Sequence, residues 1–222
     1  MENSFEAGLD ALKQKLLTMA SHAETAVNRA VQALVQRDAD LANRVKEDDR
    51  VIDRFEIEID DMAILLLTKA PLASNLRLVT VAMKISQNLE RVGDEACTIA
   101  RRAHELNAEP QLKPYIDLPR MAAMSLEMLR DALTAFIERQ PDKARTVIPR
   151  DRDVDDLNRQ LHRELSSYMV ERPTTISRCL NLMVISKCLE RIADHATNVA
   201  EEVVYLYEAK DIRHSAQKPN EA

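Results

Sequence analysis

The sequence predicts an all-α protein built as two tandem three-helix bundles, with six long helices related by internal duplication. Composition is the first indication, because aromatic residues make up 3% of the 222 residues, glycine occurs twice and tryptophan is absent. A chain that is poor in aromatic and turn-forming residues, and rich in Leu, Ala, Met and Glu, favours helices over strands. An internal repeat and a helical spacing of apolar residues are the other two indications.

The two halves of the chain align with each other at an offset of 102 residues, which becomes 100 after a matched pair of prolines. The identities between the halves include Met19 with Met121, Arg37 with Arg139, Val45 with Val147, and Pro71 with Pro173. A repeat of roughly a hundred residues is too long for a solenoid unit and is typical of a duplicated small domain. We therefore predict domains at 1–107 and 117–210, a linker at 108–116 and a disordered tail at 211–222.

Each copy is predicted to contain three helices. In the first copy they span Phe5–Arg37, Asp40–Lys69 and Leu72–Leu106. In the second copy they span Leu118–Arg139, Asp142–Val170 and Thr174–Ala209. Prolines, which interrupt helices, support these limits, because Pro71, Pro141 and Pro173 lie at junctions and Pro110, Pro114 and Pro119 lie around the linker. Pro149 lies inside the fifth helix, which is therefore expected to kink or to start late.

The third helix of each copy has the clearest period. Its apolar residues recur at alternating steps of three and four, as in Leu89, Val92, Ala96 and Ile99 of the first copy and Leu189, Ile192, Ala196 and Val199 of the second. This spacing is typical of a helix face that is buried against partner helices. The period predicts that this face of the helix is buried against the two other helices of its bundle.

Pairs of acidic residues, spaced four apart, recur at matching places in both copies. They are Asp49/Asp53 and Glu90/Asp94 in the first copy and Asp151/Asp155 and Glu190/Asp194 in the second. Residues at this spacing lie on one side of a helix, where two like charges cost about 0.2–0.5 kcal/mol. Several such pairs arise by chance in an acidic chain, but recurrence in two diverged copies is the observation that points to a function.

Two acidic pairs on neighbouring antiparallel helices would bring four carboxylates together. Cations between them would relieve the repulsion, and oxygen ligands favour Mg²⁺, Mn²⁺, Ca²⁺ or iron. The pairs point away from the apolar seam, so a metal site would lie on the outer face of each bundle; a solvated acidic face without metal is the alternative. His195 could supply a nitrogen, but it does not form the Glu-x-x-His motif of di-iron bundles.

Other features restrict the class of protein. A formal net charge of −6 argues against nonspecific nucleic-acid binding, which needs a basic surface. The chain begins without the basic and apolar stretches of a signal peptide, and its longest apolar run, Met62–Leu67, is too short to cross a bilayer. Three cysteines with no ligand spacing fit reduced thiols in the cytoplasm. No nucleophile or phosphate-loop motif occurs, so an enzyme is not expected.

Three segments resemble the signatures of the PhoU family. They are Leu89–Asp94, Cys188–Leu206 and Ala70–Leu78, the last leading into the third helix. The resemblance extends over essentially the whole chain apart from the tail. It implies an all-α tandem bundle that is often a homodimer, with multinuclear iron or zinc clusters held on its surface by the paired acids. Ala193, in place of the glycine usual in that motif, and Pro149 before Asp151 are departures in the second copy.

The resemblance also implies a regulatory function. PhoU-like proteins keep the phosphate-starvation response off when phosphate is abundant, as cytoplasmic adaptors between the phosphate ABC transporter and a membrane histidine kinase. The implied partners are that sensor kinase and the ATPase subunit of the transporter, with peripheral association with the membrane complex and no nucleic acid. The alternatives left open are a carboxylate-bridged metal-dependent enzyme on a helical bundle and a scaffold whose acidic pairs hold no metal.

Overall fold

The computed structural model describes residues 2–69 and 72–212, and no strand occurs among them. The helices of the first repeat are α1 (Glu2–Gln36), α2 (Ala39–Leu67) and α3 (Ala73–Asn107). Those of the second are α4 (Asp117–Glu138), α5 (Pro141–Val147), α6 (Asp151–Glu171) and α7 (Ile176–Glu208). The predicted all-α fold of two tandem three-helix bundles is confirmed. Pro71 and most of the predicted tail, from residue 213 onward, lie outside the described residues. None of the helices described is long and apolar enough to span a membrane.

The second helix of the second repeat is broken where the sequence places Pro149. A 3₁₀ turn, Ile148–Arg150, separates α5 from α6, whereas α2 of the first repeat is continuous. Proline has no backbone N–H and its ring clashes with the preceding helical turn, so it ends α5 and lets α6 begin immediately after it. The expected kink or late start is confirmed, and the break makes Asp151 the first residue of α6.

The periodic residues of α3 and α7 form the centre of the core. Leu89, Val92, Leu189 and Ile192 have no exposed surface. Burying a side chain of this size contributes about 1.5–3 kcal/mol, so these two seams supply much of the stability of each bundle. The three cysteines are free thiols, as expected, because none of them forms a disulfide.

The two repeats are joined by antiparallel packing of α3 against α7. Lys84 Nζ lies 3.0 Å from the Glu202 carboxylate, and Arg191 lies 3.2 Å from Glu95 further along the same pair of helices. These contacts link positions far apart in sequence, so the two bundles form one continuous helical body. They also leave α2 and α6 on the outside, each packed against the third helix of its own repeat.

One ion pair shows how the duplicated positions have diverged. Arg29 on α1 lies 2.5 Å from Asp48 on α2. The equivalent residues of the second repeat are Asp131 and Arg150, which lie 2.6 Å apart with the charges exchanged. The contact between the first and second helices is thus kept in both repeats, while the sign on each helix is reversed.

Candidate functional site

The first acidic site lies where α2 and α3 approach each other closely. Gly93 on α3 permits the approach, because a Cβ there would lie 2.9 Å from Asp49 Oδ1 and 3.0 Å from Ile52 Cδ1 of α2. A glycine within a helix costs about 1 kcal/mol relative to alanine. This close contact holds Asp49 against the helix that carries Glu90 and Asp94.

The four predicted acids of the first site lie close together, and the pKa values of three of them, Asp49, Glu90 and Asp94, are raised. Burial raises the pKa of Glu90 to about 7, and the neighbouring charge of Asp94 adds to the rise. Burial also raises the pKa of Asp94, and the charge of Asp53 on the facing helix is the next cause. At Asp49 burial is again the largest cause of a raised pKa, with smaller contributions from Asp53 and Asp94. The site is therefore a cluster of mutually repelling carboxylates across two helices.

Two further residues of the first site were missed by the sequence analysis. Burial raises the pKa of Glu56, and the charges of Asp60 and Asp53 raise it further, which places Glu56 in the same cluster. The Cys97 thiol donates to the Val45 carbonyl oxygen at 3.9 Å. Burial raises the pKa of Cys97 to about 12, and the neighbouring charge of Asp49 adds to the rise. Glu56 has no acidic counterpart in the second repeat, so recurrence could not find it; its position three residues after Asp53, on the same helix face, was the available signal.

The second acidic site lies between α6 and α7. Burial raises the pKa of Asp151 to about 6, with the charge of Asp194 as the next cause. Burial likewise raises the pKa of Asp194 to about 6, and the charges of Glu190 and Asp155 contribute. All four predicted acids are therefore brought together here as well. Glu190 is only 8% exposed, so this site lies deeper in the bundle than the first.

The second site contains cationic side chains that the first lacks. Lys187 forms an ion pair with Glu190, and Arg159 lies 3.7 Å from Asp155. The equivalent residues in the first repeat are Gln87 and Ile57, which carry no charge. Part of the negative charge of the second site is thus compensated by the protein itself.

Within the described part of the chain, no group of three or more His, Cys, Asp or Glu side chains is arranged to hold a metal ion. The carboxylates of each site would have to rotate about their side-chain bonds to converge on one cation. Asp151 has a carboxylate oxygen, Oδ1, that is buried without a hydrogen-bond partner. His195 contributes to neither cluster, because its Nδ1 lies 3.0 Å from Asn88 Oδ1 in the contact between α3 and α7.

Comparison with protein families matches both repeats to one model. The model is described as the PhoU domain, and it matches residues 16–103 and 118–203. The first matched segment contains Asp49, Asp53, Glu90 and Asp94, and the second contains their four counterparts. Both copies of the acidic pairs therefore lie inside the matched domains.

Similar proteins match over nearly the whole chain. The phosphate-specific transport system accessory protein PhoU homolog of Pseudomonas putida is 39% identical over 220 residues, which is 98% of this chain and 86% of the relative. The accessory protein PhoU of Escherichia coli K12 is 32% identical over 215 residues, or 96% of this chain and 89% of the relative. These names describe accessory proteins of a transport system rather than enzymes.

Solved structures have the same fold. The crystal structure of PhoU from Pseudomonas aeruginosa gives a TM-score of 0.89 at 39% sequence identity, covering 93% of this chain and 100% of that one. The phosphate transport system regulatory protein PhoU from Streptococcus pneumoniae gives a TM-score of 0.87 at 28% identity, covering 94% and 99%. The similarity therefore extends across both repeats and their junction.

Proposed function

The chain belongs to the PhoU family, and from this we propose that it is a cytoplasmic negative regulator of the phosphate-starvation response. In this function it couples the phosphate ABC transporter to a sensor histidine kinase. The observation that carries the proposal is the match of both repeats to the PhoU domain, together with relatives named as phosphate-specific transport accessory proteins. The regulator acts by contact, as a homodimer that associates peripherally with the membrane complex.

The expected contacts are with the ATPase subunit of the transporter and with the kinase. Long helices with exposed outer faces provide surfaces of the kind that helical partners use. The formal net charge of −6 is consistent with protein partners and not with nucleic acid.

A deletion strain tests the regulatory function. The gene is deleted from its own organism, and the activity of a phosphate-regulated phosphatase is measured in medium rich in phosphate. The proposal predicts high phosphatase activity in the deletion strain and low activity once the full chain is restored. Phosphatase activity that stays low in the deletion strain contradicts the proposal.

We also propose that each acidic site binds divalent or iron cations, with iron, zinc, Mg²⁺ and Mn²⁺ as the candidates. Asp49, Asp53, Glu90 and Asp94 would bind them in the first repeat. The corresponding ligands of the second repeat would be Asp151, Asp155, Glu190 and Asp194. An all-oxygen donor set suits hard and borderline cations.

The chemistry of the two clusters supports cation binding. Burial and then neighbouring carboxylates raise the pKa values of Glu90 and Asp94 in the first cluster and of Asp151 and Asp194 in the second, so a positive charge beside these groups would be stabilising. The unpartnered buried Oδ1 of Asp151 supplies an acceptor that no protein group satisfies. A bound cation would supply charge neutralisation and would link α2 to α3, or α6 to α7, so its expected effect is on the rigidity of each bundle.

Thermal unfolding with and without added cation tests these sites. Protein treated with chelator is unfolded alone and with Mn²⁺, Zn²⁺ or Fe²⁺, and ligand binding to the folded state is expected to raise its Tm. The Glu90→Gln/Asp94→Asn variant should show a smaller rise. Glu6→Gln/Asp10→Asn is the matched control, because it removes a pair at the same spacing from an exposed face of α1. Equal rises in Tm for the unmodified protein, the variant and the control would favour a scaffold whose acidic pairs hold no metal. Turnover of a substrate with bound metal would favour the metal-dependent enzyme.

A further inference from the structure

The outer face of α2 carries large apolar side chains that the fold leaves uncovered. Ile57, Ile64 and Leu65 are 64%, 58% and 56% exposed. Their spacing of seven and eight residues places them along one side of the helix, two turns apart. Single exposed apolar residues are ordinary on a protein surface, whereas a group on one helix face indicates a contact surface. We call these three residues the α2 stripe.

The α2 stripe lies within a strongly acidic segment. Between Phe55 and Thr68 the helix contains no basic residue and four acidic ones, which are Glu56, Glu58, Asp60 and Asp61. Glu58 is paired with Lys15 of α1. The nearest basic residues on α2 itself, Arg50 and Arg54, precede this segment. Asp61 lies on the same face of the helix between Ile57 and the pair Ile64 and Leu65, and Lys69 follows the segment. The apolar side chains are therefore accompanied by negative charge along most of the segment.

The equivalent surface of the second repeat has the opposite character. Arg159, Ser166 and Ser167 occupy the positions of Ile57, Ile64 and Leu65. The same segment of α6 also contains Arg163 and one acidic residue, Glu164. The α2 stripe is thus specific to the first repeat and is not a requirement of the duplicated fold.

We propose that the α2 stripe docks an amphipathic helix of a partner protein, whose apolar face is flanked by lysine and arginine. Burial of Ile57, Ile64 and Leu65 supplies the contact area, as in other helix-on-helix recognition. The surrounding acids select a basic partner and accelerate its approach. The partner's place in phosphate signalling rests on the proposed function, while the docking surface itself rests on exposure and charge.

A second copy of this chain fits the surface less well. The α6 face of another copy would match α2 in charge through Arg159 and Arg163. It offers Ser166 and Ser167, however, in place of the apolar side chains that would be needed to cover the α2 stripe. A lipid surface fits poorly too, because the acidic border would be repelled by anionic head groups.

The docking surface can be tested with a synthetic peptide and the full chain. The peptide is a helix of roughly 18 residues, five turns long, with leucines along one face and lysines beside them. Binding is followed by fluorescence anisotropy. The Ile57→Gln/Ile64→Gln variant is expected to bind about tenfold more weakly, which corresponds to about 1.4 kcal/mol. The matched control is Ile116→Gln/Val170→Gln, which removes two side chains that are also highly exposed, 73% and 84%, elsewhere on the molecule; it should bind as the unmodified chain does.

A second peptide isolates the contribution of charge. It keeps the leucine face and replaces each lysine with glutamate, and it should bind about tenfold more weakly than the basic peptide. Undiminished binding by the Ile57→Gln/Ile64→Gln variant, or equal binding of the two peptides, overturns the proposal. So does a change from dimer to monomer in sedimentation of that variant, which would assign the surface to a second copy. Binding to phosphatidylglycerol vesicles that the variant loses would assign it to lipid.

Failure of the docking surface and failure of the proposed function are distinguishable. If the variant binds the peptide normally while deletion of the gene raises phosphatase activity, the docking proposal is wrong and the proposed function is supported. If the variant loses the peptide while deletion leaves phosphatase activity low, the surface stands and the function is wrong. When both proposals hold, the variant loses the peptide and also fails to restore low phosphatase activity in the deletion strain.

Discussion

The two repeats have the same arrangement of helices but differ in the residues that surround their acidic sites. In the first, Asp53 and Asp94 are exposed, and Glu56 adds a fifth carboxylate. In the second, Glu190 is buried and paired with Lys187, and Arg159 lies beside Asp155. The ion pairs with Lys187 and Arg159 therefore compensate part of the negative charge of the second site, and the first site has no counterpart of either residue.

Comparison of the two repeats shows which properties are retained at matched positions. Apolar residues of α3 and α7 remain apolar at every matched position of the seam, because a buried polar group without a partner costs free energy. The ion pair between the first and second helices is retained with its charges exchanged, as Arg29–Asp48 and Asp131–Arg150. At the buried seam the apolar residue type is retained. At the ion pair only the complementarity of the two charges is retained.

The largest expected effect concerns the buried apolar seam, which both repeats share. Leu89→Ala and Leu189→Ala each remove a side chain with no exposed surface. Each is expected to lower the free energy of unfolding by about 2–5 kcal/mol, because a cavity remains in the core. Urea unfolding measures both. A loss below about 1 kcal/mol for one of the two would show that the seams are not equivalent.

A smaller effect is expected at Gly93 and Ala193, a matched position at which α3 and α7 differ. Ala193→Gly should lower the free energy of unfolding by about 1–2 kcal/mol, from lost helix propensity and one buried methyl group. Gly93→Ala should change stability less, because the gain in propensity is opposed by contact with Asp49 and Ile52. Since the new methyl displaces the Asp49 carboxylate, the metal-dependent rise in Tm should also shrink for Gly93→Ala and not for Ala193→Gly. Equal responses to metal would contradict the close approach described for α2 and α3.

The pH dependence of chelator-treated protein should separate the two sites. A carboxyl group whose pKa is raised on folding binds more protons in the folded state, so its stabilising contribution is complete below the unfolded pKa and is lost as the pH rises through the folded one. For Glu90 this window runs from 4.5 to about 7. For Asp194 it runs from 3.8 to about 6.

Unfolding midpoints measured from pH 4 to pH 8 give the comparison. The unmodified protein should lose stability as the pH rises, and Glu90→Gln should reduce that loss over a range that reaches about pH 7. Asp194→Asn should reduce only the part of the loss that occurs up to about pH 6. Coinciding windows for the two variants would show that Glu90 and Asp194 have the same pKa in the folded protein.

The smallest expected effect concerns the reversed ion pair. Arg29→Asp should destabilise the first repeat by about 0.2–1 kcal/mol, because a partly exposed pair is lost and like charges then face each other. Arg29→Asp/Asp48→Arg, which reproduces the polarity of the second repeat, should recover most of that loss. A double variant that is no more stable than the single one would show that the pairing does not matter.

The fold was predictable because the informative signals are local. Steps of three and four along α3 and α7 identify buried helix faces without knowledge of the partner, and Pro149 breaks its helix by its own covalent structure. The convergence of eight acidic residues into two clusters was predictable from recurrence. Glu56, Cys97 and Lys187 could not be found from recurrence, because each occurs in one repeat alone. Their place in a site depends on which helix faces meet, a property of packing between segments distant in sequence.

The metal content of the purified protein tests the central claim most directly, that the duplicated pairs are two cation sites. Protein purified without chelator is analysed by mass spectrometry of its metals, beside Glu90→Gln/Asp94→Asn, Glu190→Gln/Asp194→Asn and the Glu6→Gln/Asp10→Asn control. The account predicts that each site variant loses part of the metal, the first-site variant the larger part, and that the control loses none. Equal metal in all four proteins, or negligible metal in all four, would contradict it.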